Sequence, residues 1–149
     1  MTQDPPLPFP ELIAQGAPLT SAMEVREYSD TSWVFAMTDD VLVSVDHDEE
    51  RDVLFLTANI GKPPGSNAIE VYELLLQMAT QWRDTGGLRM GLDRPDGFVT
   101  QIYDLPRADL QADRFAAALE NFAQVAEAWR GILKSTETQE AFDATYIRI

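Results

Sequence analysis

Residues able to do chemistry are sparse in this chain. His47 is the only histidine among 149 residues, and it sits in Asp46-His-Asp-Glu-Glu50. An imidazole among carboxylates could hold a cation, but a metal site needs ligands that converge. This run has the composition of a hairpin turn with splayed side chains, so a solvated turn is expected and no metal site. Asp93-Arg-Pro-Asp-Gly97 lacks the alternating ligands and terminal Glu of a calcium loop. There is no Gly-x-Ser-x-Gly, and neither glycine-rich phosphate cradle occurs. The absence of cysteine removes thiolate zinc sites, disulfides and cysteine nucleophiles together. With 25 acidic residues some carboxylates must meet by chance, and nothing in their spacing singles out an acid–base pair. The expectation is a protein that is not an enzyme, with no cofactor and no metal.

Charge limits the partners. Lys and Arg number 11 and Asp and Glu 25, a net charge of −14. Such a surface repels phosphate backbones and anionic lipid, so neither nucleic acid nor membrane is expected. It serves solubility, or a basic or apolar partner. No apolar run approaches the roughly 18 residues that span a bilayer. The start, MTQDPPLPFP, has neither the basic nor the apolar region of a signal peptide, so a cytoplasmic protein is expected.

With catalysis set aside, the elements themselves carry the argument. Residues 1–20 form a Pro-rich segment in which Pro10 to Gly16 allows a short helix. Residues 21–134 read as one α+β domain, and 135–149 as a C-terminal extension. Runs at Met23–Tyr28, Trp33–Met37, Val41–Val45 and Val53–Ile60 read as strands with short turns, hence an antiparallel meander. Gly61 to Ser66 is a loop. A helix is predicted over Asn67–Asp84, capped by Asn67 with Glu70 three residues on and ended by Gly86-Gly87. Leu88–Asp93 and Phe98–Tyr103 form a hairpin across Arg94-Pro-Asp-Gly97, with Leu88, Met90 and Leu92 on its buried face. A last helix is predicted over Asp109–Leu133, because Phe115, Leu119, Phe122, Ala126, Trp129 and Leu133 recur at spacings of three and four.

Two surfaces for binding follow. The central helix is apolar on two sides. Val71, Leu75, Met78 and Trp82 line one; Ile69, Tyr72, Leu76 and Ala79 line the other. A two-layer domain buries only one side of such a helix, so one set is expected to face the sheet and the other a second copy of the chain. The alternative is that the last helix covers the second side within one chain. Trp33, Val34 and Phe35, with Val41, Val43 and Val45, put apolar residues on strands in a way that leaves either a doubly buried strand or a face awaiting a partner.

The order Val41-Leu-Val-Ser-Val-Asp46, Val53-Leu-Phe-Leu-Thr-Ala-Asn-Ile-Gly61, Tyr72-Glu-Leu-Leu-Leu76, Met90-Gly-Leu-Asp93 with Gly97-Phe-Val-Thr-Gln101, and Phe122 through Trp129 resembles the class I type III secretion chaperones, the Tir-chaperone, CesT-like family. The resemblance implies an α+β homodimer with an antiparallel twisted sheet packed against helices. It implies binding of the extended N-terminal region of a secreted effector, without ATP or metal. Members usually begin with a long amphipathic helix; the prolines here leave room only for a short one, and the strand at Met23–Tyr28 is additional. The YbjN-like group shares the same element order, and would keep the fold while replacing the secretion role with a regulatory or interaction one.

Overall fold

Alternating apolar residues in six segments build one antiparallel sheet, here seen in a computed structural model that describes residues 5–38, 40–81, 83, 86–93 and 97–134. The strands are β1 (Glu24–Ser29), β2 (Ser32–Ala36), β3 (Leu42–Asp48), β4 (Val53–Gly61), β5 (Arg89–Asp93) and β6 (Phe98–Pro106). Their order is β1-β2-β3-β4-β6-β5, so the meander β1 to β4 predicted from the turns is present. The β5–β6 hairpin joins at β4, which places β1 and β5 at the two edges. The helices are α1 (Phe9–Gly16), α2 (Ala68–Ala79) and α3 (Ala112–Lys134).

Period-two alternation decides which face of the sheet is filled. Trp33 and Phe35 pair with Val45 and Val43, and these in turn with Leu56 and Ala58, so all six side chains point to one face. On that face they meet Phe9, Leu12 and Ile13 of α1 and Phe115, Leu119, Phe122, Ala126, Trp129 and Leu133 of α3, in one buried cluster. The α3 stripe is the one its spacing predicted. The other face, with Val34, Leu42, Ser44, Phe55 and Ile102, stays open.

The ends of the predicted helices are corrected. Asn67 stands at the N-cap of α2, yet its side chain makes no capping hydrogen bond. The helix closes at Ala79, where Thr80 donates to the Gln77 carbonyl through both its amide and its hydroxyl. Trp82 and Asp84, placed in this helix from sequence, lie outside the described residues, as do 94–96 and the extension 135–149. Asp109, predicted as the start of the last helix and a candidate cap for it, lies before α3: its φ is 60°, a left-handed turn position that Asp tolerates, and α3 begins at Ala112.

The N-terminal segment is anchored more firmly than its prolines suggest. Gly16 ends α1 against Phe115, so close that a Cβ there would stand 2.6 Å from the Phe115 ring. Arg107 donates from Nη2 to the Leu7 carbonyl and from Nη1 to Asp52 Oδ1 at 3.0 Å. His47 Nε2 reaches the same Asp52 oxygen at 3.1 Å, and its ring lies 5.0 Å from that of Phe9. These hydrogen bonds, first from His47 and then from Arg107, hold the Asp52 carboxyl below its usual 3.8.

Two stability experiments follow. Gly16→Ala forces a methyl group into a fully buried ring and should lower urea stability by about 1–3 kcal/mol. Gly131→Ala, with nothing within 4 Å of the new Cβ on the exposed side of α3, should raise it by about 0.5–1 kcal/mol. The Asp52 contribution is present above the unfolded carboxylate value and is lost as pH falls through the depressed folded one. Asp52→Asn keeps the positive φ of 54° accessible while removing the charge. The variant's stability should therefore fall less steeply than wild type below about pH 4, measured by urea unfolding at stepped pH.

Candidate functional site

The structure ties His47, the one histidine, into a set of structural contacts. His47 is not splayed into solvent as its turn-like setting suggested; its side chain is nearly covered, packed on Phe9 and tied to Asp52. The turn itself is closed by Asp48, whose Oδ1 accepts from the backbone amides of Glu50 and Arg51 at 3.1 Å. His47, Asp52 and Arg107 thus tie the start of α1 to the β3–β4 turn, while Asp48 closes the turn itself. Among the described residues no group of three or more His, Asp or Glu side chains is placed to hold a metal ion. No helix among them is long and apolar enough to cross a membrane.

Five of the six residues expected to meet a partner belong to the core instead. Trp33, Phe35, Val41, Val43 and Val45 are buried under α1 and α3. The physical reason is the strand register. Facing Val43 and Val45 across the β2–β3 pair commits Trp33 and Phe35 to the helix-covered side. Val34 alone of the six turns to the open face. There, with Ala36, Leu42 and Tyr28, it lines a shallow hollow of about 260 Å³. Leu42 is 56% exposed and Tyr28 68%. The sequence signal was available: Leu42 alternates out of phase with Val41, Val43 and Val45.

The residues expected at a dimer contact divide in two. Val71 and Met78 are buried within the chain, together with Leu74, so they are core and not interface. The opposite side of α2 stays open, with Ile69 at 74% and Leu76 at 72% exposure, while Tyr72 and Leu75 are half-buried. The alternative cover within one chain does not occur, because α3 lies on α1 and β4. Instead, Tyr72, Leu75, Leu76 and Ala79 of α2 and Met90, Gly91 and Leu92 of β5 enclose an apolar hollow of about 300 Å³. Leu92 itself is 53% exposed, so the hairpin face expected to be buried is open at its outer strand. Sequence reasoning missed Leu92 because its alternation with Leu88 and Met90 is that of a core strand; that β5 is an edge is set by strand order.

The profile of the Tir chaperone protein (CesT) family matches residues 29–130. No curated protein matches the sequence. Among solved structures, the chain is similar to one in the ExsC-ExsE complex, at 24% identity and a TM-score of 0.58, covering 66% of this chain and 73% of that one. It is also similar to a chain of the HopA1-SchA chaperone-effector complex, at 17% identity and a TM-score of 0.64, covering 80% and 90%. A third is in the complex of the Yersinia pestis type III secretion chaperone SycH with a fragment of YscM2, at 16% identity and a TM-score of 0.59, covering 80% and 97%. Those likenesses are of fold. With a sheet covered on one side only, two open apolar surfaces and a family profile spanning two-thirds of its length, the chain belongs to the Tir chaperone protein (CesT) family.

Proposed function

We propose that this protein is a type III secretion chaperone. It binds the extended N-terminal region of a secreted effector, keeps it soluble and secretion-competent, and works as a cytoplasmic homodimer. The family match across residues 29–130 is the observation that carries the chaperone role. Three of the similar solved chains come from complexes of two different proteins, one of them a chaperone-effector complex, which supports a protein client here. The contacts of His47 with Phe9 and Asp52 are structural ones, which supports a binding role over a catalytic one.

The dimer reading rests on the α2–β5 edge. An isologous contact uses each surface twice. Burying Ile69, Leu76 and Leu92 in both copies would withdraw six large apolar side chains from water, each worth about 1.5–3 kcal/mol when fully buried. That gain is of the same order as the cost of association, which runs from about 4 to 15 kcal/mol. The helical spacing sets one carboxylate, Glu73, beside Ile69 and Leu76. The uncharged part of the contact therefore lies toward β5, where the lining of the hollow holds no ionisable acid or base except the Tyr72 phenol.

Light scattering on the purified chain should give twice the mass of 16.7 kDa. Leu76→Asp should convert it to a folded monomer, with unchanged far-UV dichroism, since Leu76 is exposed in one chain. Burying an unpaired carboxylate in each copy should weaken the dimer by at least about 100-fold. A wild-type monomer at micromolar concentration would sink the dimer. The chaperone role is tested apart from it, by recovering one stoichiometric client from native lysate and asking whether that client's secretion stops when this protein is deleted.

A further inference from the structure

The open face at the β1 edge differs in chemistry from the α2–β5 edge, and it is built partly outside the stretch that the family profile matches. Nearly all of β1 precedes residue 29. Its Glu24 and Arg26 face Ala36 and Val34 across the strand pair, and with Tyr28 they form one wall of the hollow that Val34, Ala36 and Leu42 floor. No helix of the described residues covers this side of the sheet.

The surrounding charge is lopsided. Residues 24–52 hold ten carboxylates against two arginines, a net of −8 and more than half of the chain's −14. Both arginines are already engaged, Arg26 with Glu24 at 2.8 Å and Arg51 with Asp48 at 3.7 Å. Among the described residues Glu27, Asp30, Asp40, Glu49 and Glu50 have no cationic partner; Glu27 faces Trp33 on the helix-covered side, Asp30, Glu49 and Glu50 stand in turns, and Asp40 is two residues from Leu42 of the hollow. Asp46 shares the open face with Leu42 and is held there by the Ser32 hydroxyl at 2.7 Å. Carboxylates left unpaired around exposed aromatic and aliphatic side chains favour a ligand that brings both an apolar group and positive charge.

We propose that the open face of β1, β2 and β3 is a docking surface for a basic, apolar segment of the client. This deepens the chaperone reading and rests on it. An apolar side chain of that segment occupies the hollow over Val34, Ala36 and Leu42, against Tyr28. Its lysines and arginines meet Asp40 and Asp46. Because the charges sit at the rim, they govern encounter rate and salt dependence, while the hollow sets which residue is seated.

The test uses the full-length chain and a set of fluorescein-labelled 15-residue peptides in which apolar content and charge vary independently. By anisotropy, peptides alternating Leu or Val with Lys should bind at least tenfold more tightly than the same apolar residues alternating with Glu, and than Lys alternating with Ser. Raising salt from 50 to 500 mM should weaken that binding at least tenfold. The double substitution Tyr28→Ser with Leu42→Ser, both exposed side chains, should abolish the preference for the apolar basic peptide while leaving the fold and the dimer mass unchanged. Equal binding of basic and acidic peptides overturns the proposal, as does binding that the double variant retains. Failure of the surface is distinguished from failure of the function by the client. A client recovered equally by wild type and double variant overturns the docking surface and leaves the chaperone role standing. A client recovered by neither overturns both.

Discussion

The contact of the Phe115 ring with α1 and the sheet closes this molecule. Phe115 meets Gly16 at the end of α1 and stands 5.9 Å from Phe35 of β2, ring to ring. Glycine at that point lets α1 approach α3 closely enough for both to lie on one face of the sheet. A short helix of eight residues cannot hold itself in water, so it depends on this packing, and on Arg107 grasping the carbonyl of Leu7. Everything on the open side follows from it. All three helices add side chains to the cluster on one face of six strands, and among the described elements none covers the other.

Much of the fold was legible because two periods dominate the sequence. The three–four spacing from Phe115 to Leu133 survives in α3 almost residue for residue, and the four-strand meander follows from β-prone runs separated by short polar turns. Capping was read less well. Asn67 and Asp109 have the side chains for it, yet whether a side chain reaches the first free amides depends on the φ and ψ of the residue, −133° and 21° at Asn67, and these answer to the loop before it.

The binding surfaces were legible only in part, for a reason rooted in strand pairing. From sequence, Trp33 and Phe35 are apolar residues that could face either way, and the same holds for Val43 and Val45. Register removes that freedom: one pairing sends all four inward and leaves Val34 and Leu42 outside. A surface residue in a β-rich chaperone is therefore the minority member of an apolar run, not its most hydrophobic one. On α2 the ambiguity was of the same kind, two apolar stripes with no internal sign of which is spent. Position beside β5 assigns Val71 and Met78 to the core and frees Ile69 and Leu76.

Symmetry then separates the roles of the two open surfaces. An isologous contact lays a patch against the same patch of the copy, residue i on j and j on i, so a patch of one sign of charge faces its own sign. Across the β1–β3 face that would bring Asp40 and Asp46 toward the same carboxylates of the copy, a repulsion that salt only partly screens. At the α2–β5 edge the hollow is lined by Tyr72, Leu75, Leu76, Ala79 and three residues of β5 with no formal charge among them, so self-association there brings fewer like charges together, Glu73 being the carboxylate beside it. The acidic face suits a partner unlike itself and the neutral edge suits a copy. One chain can then bind a client and its twin at opposite edges of the same sheet, without the two contacts competing.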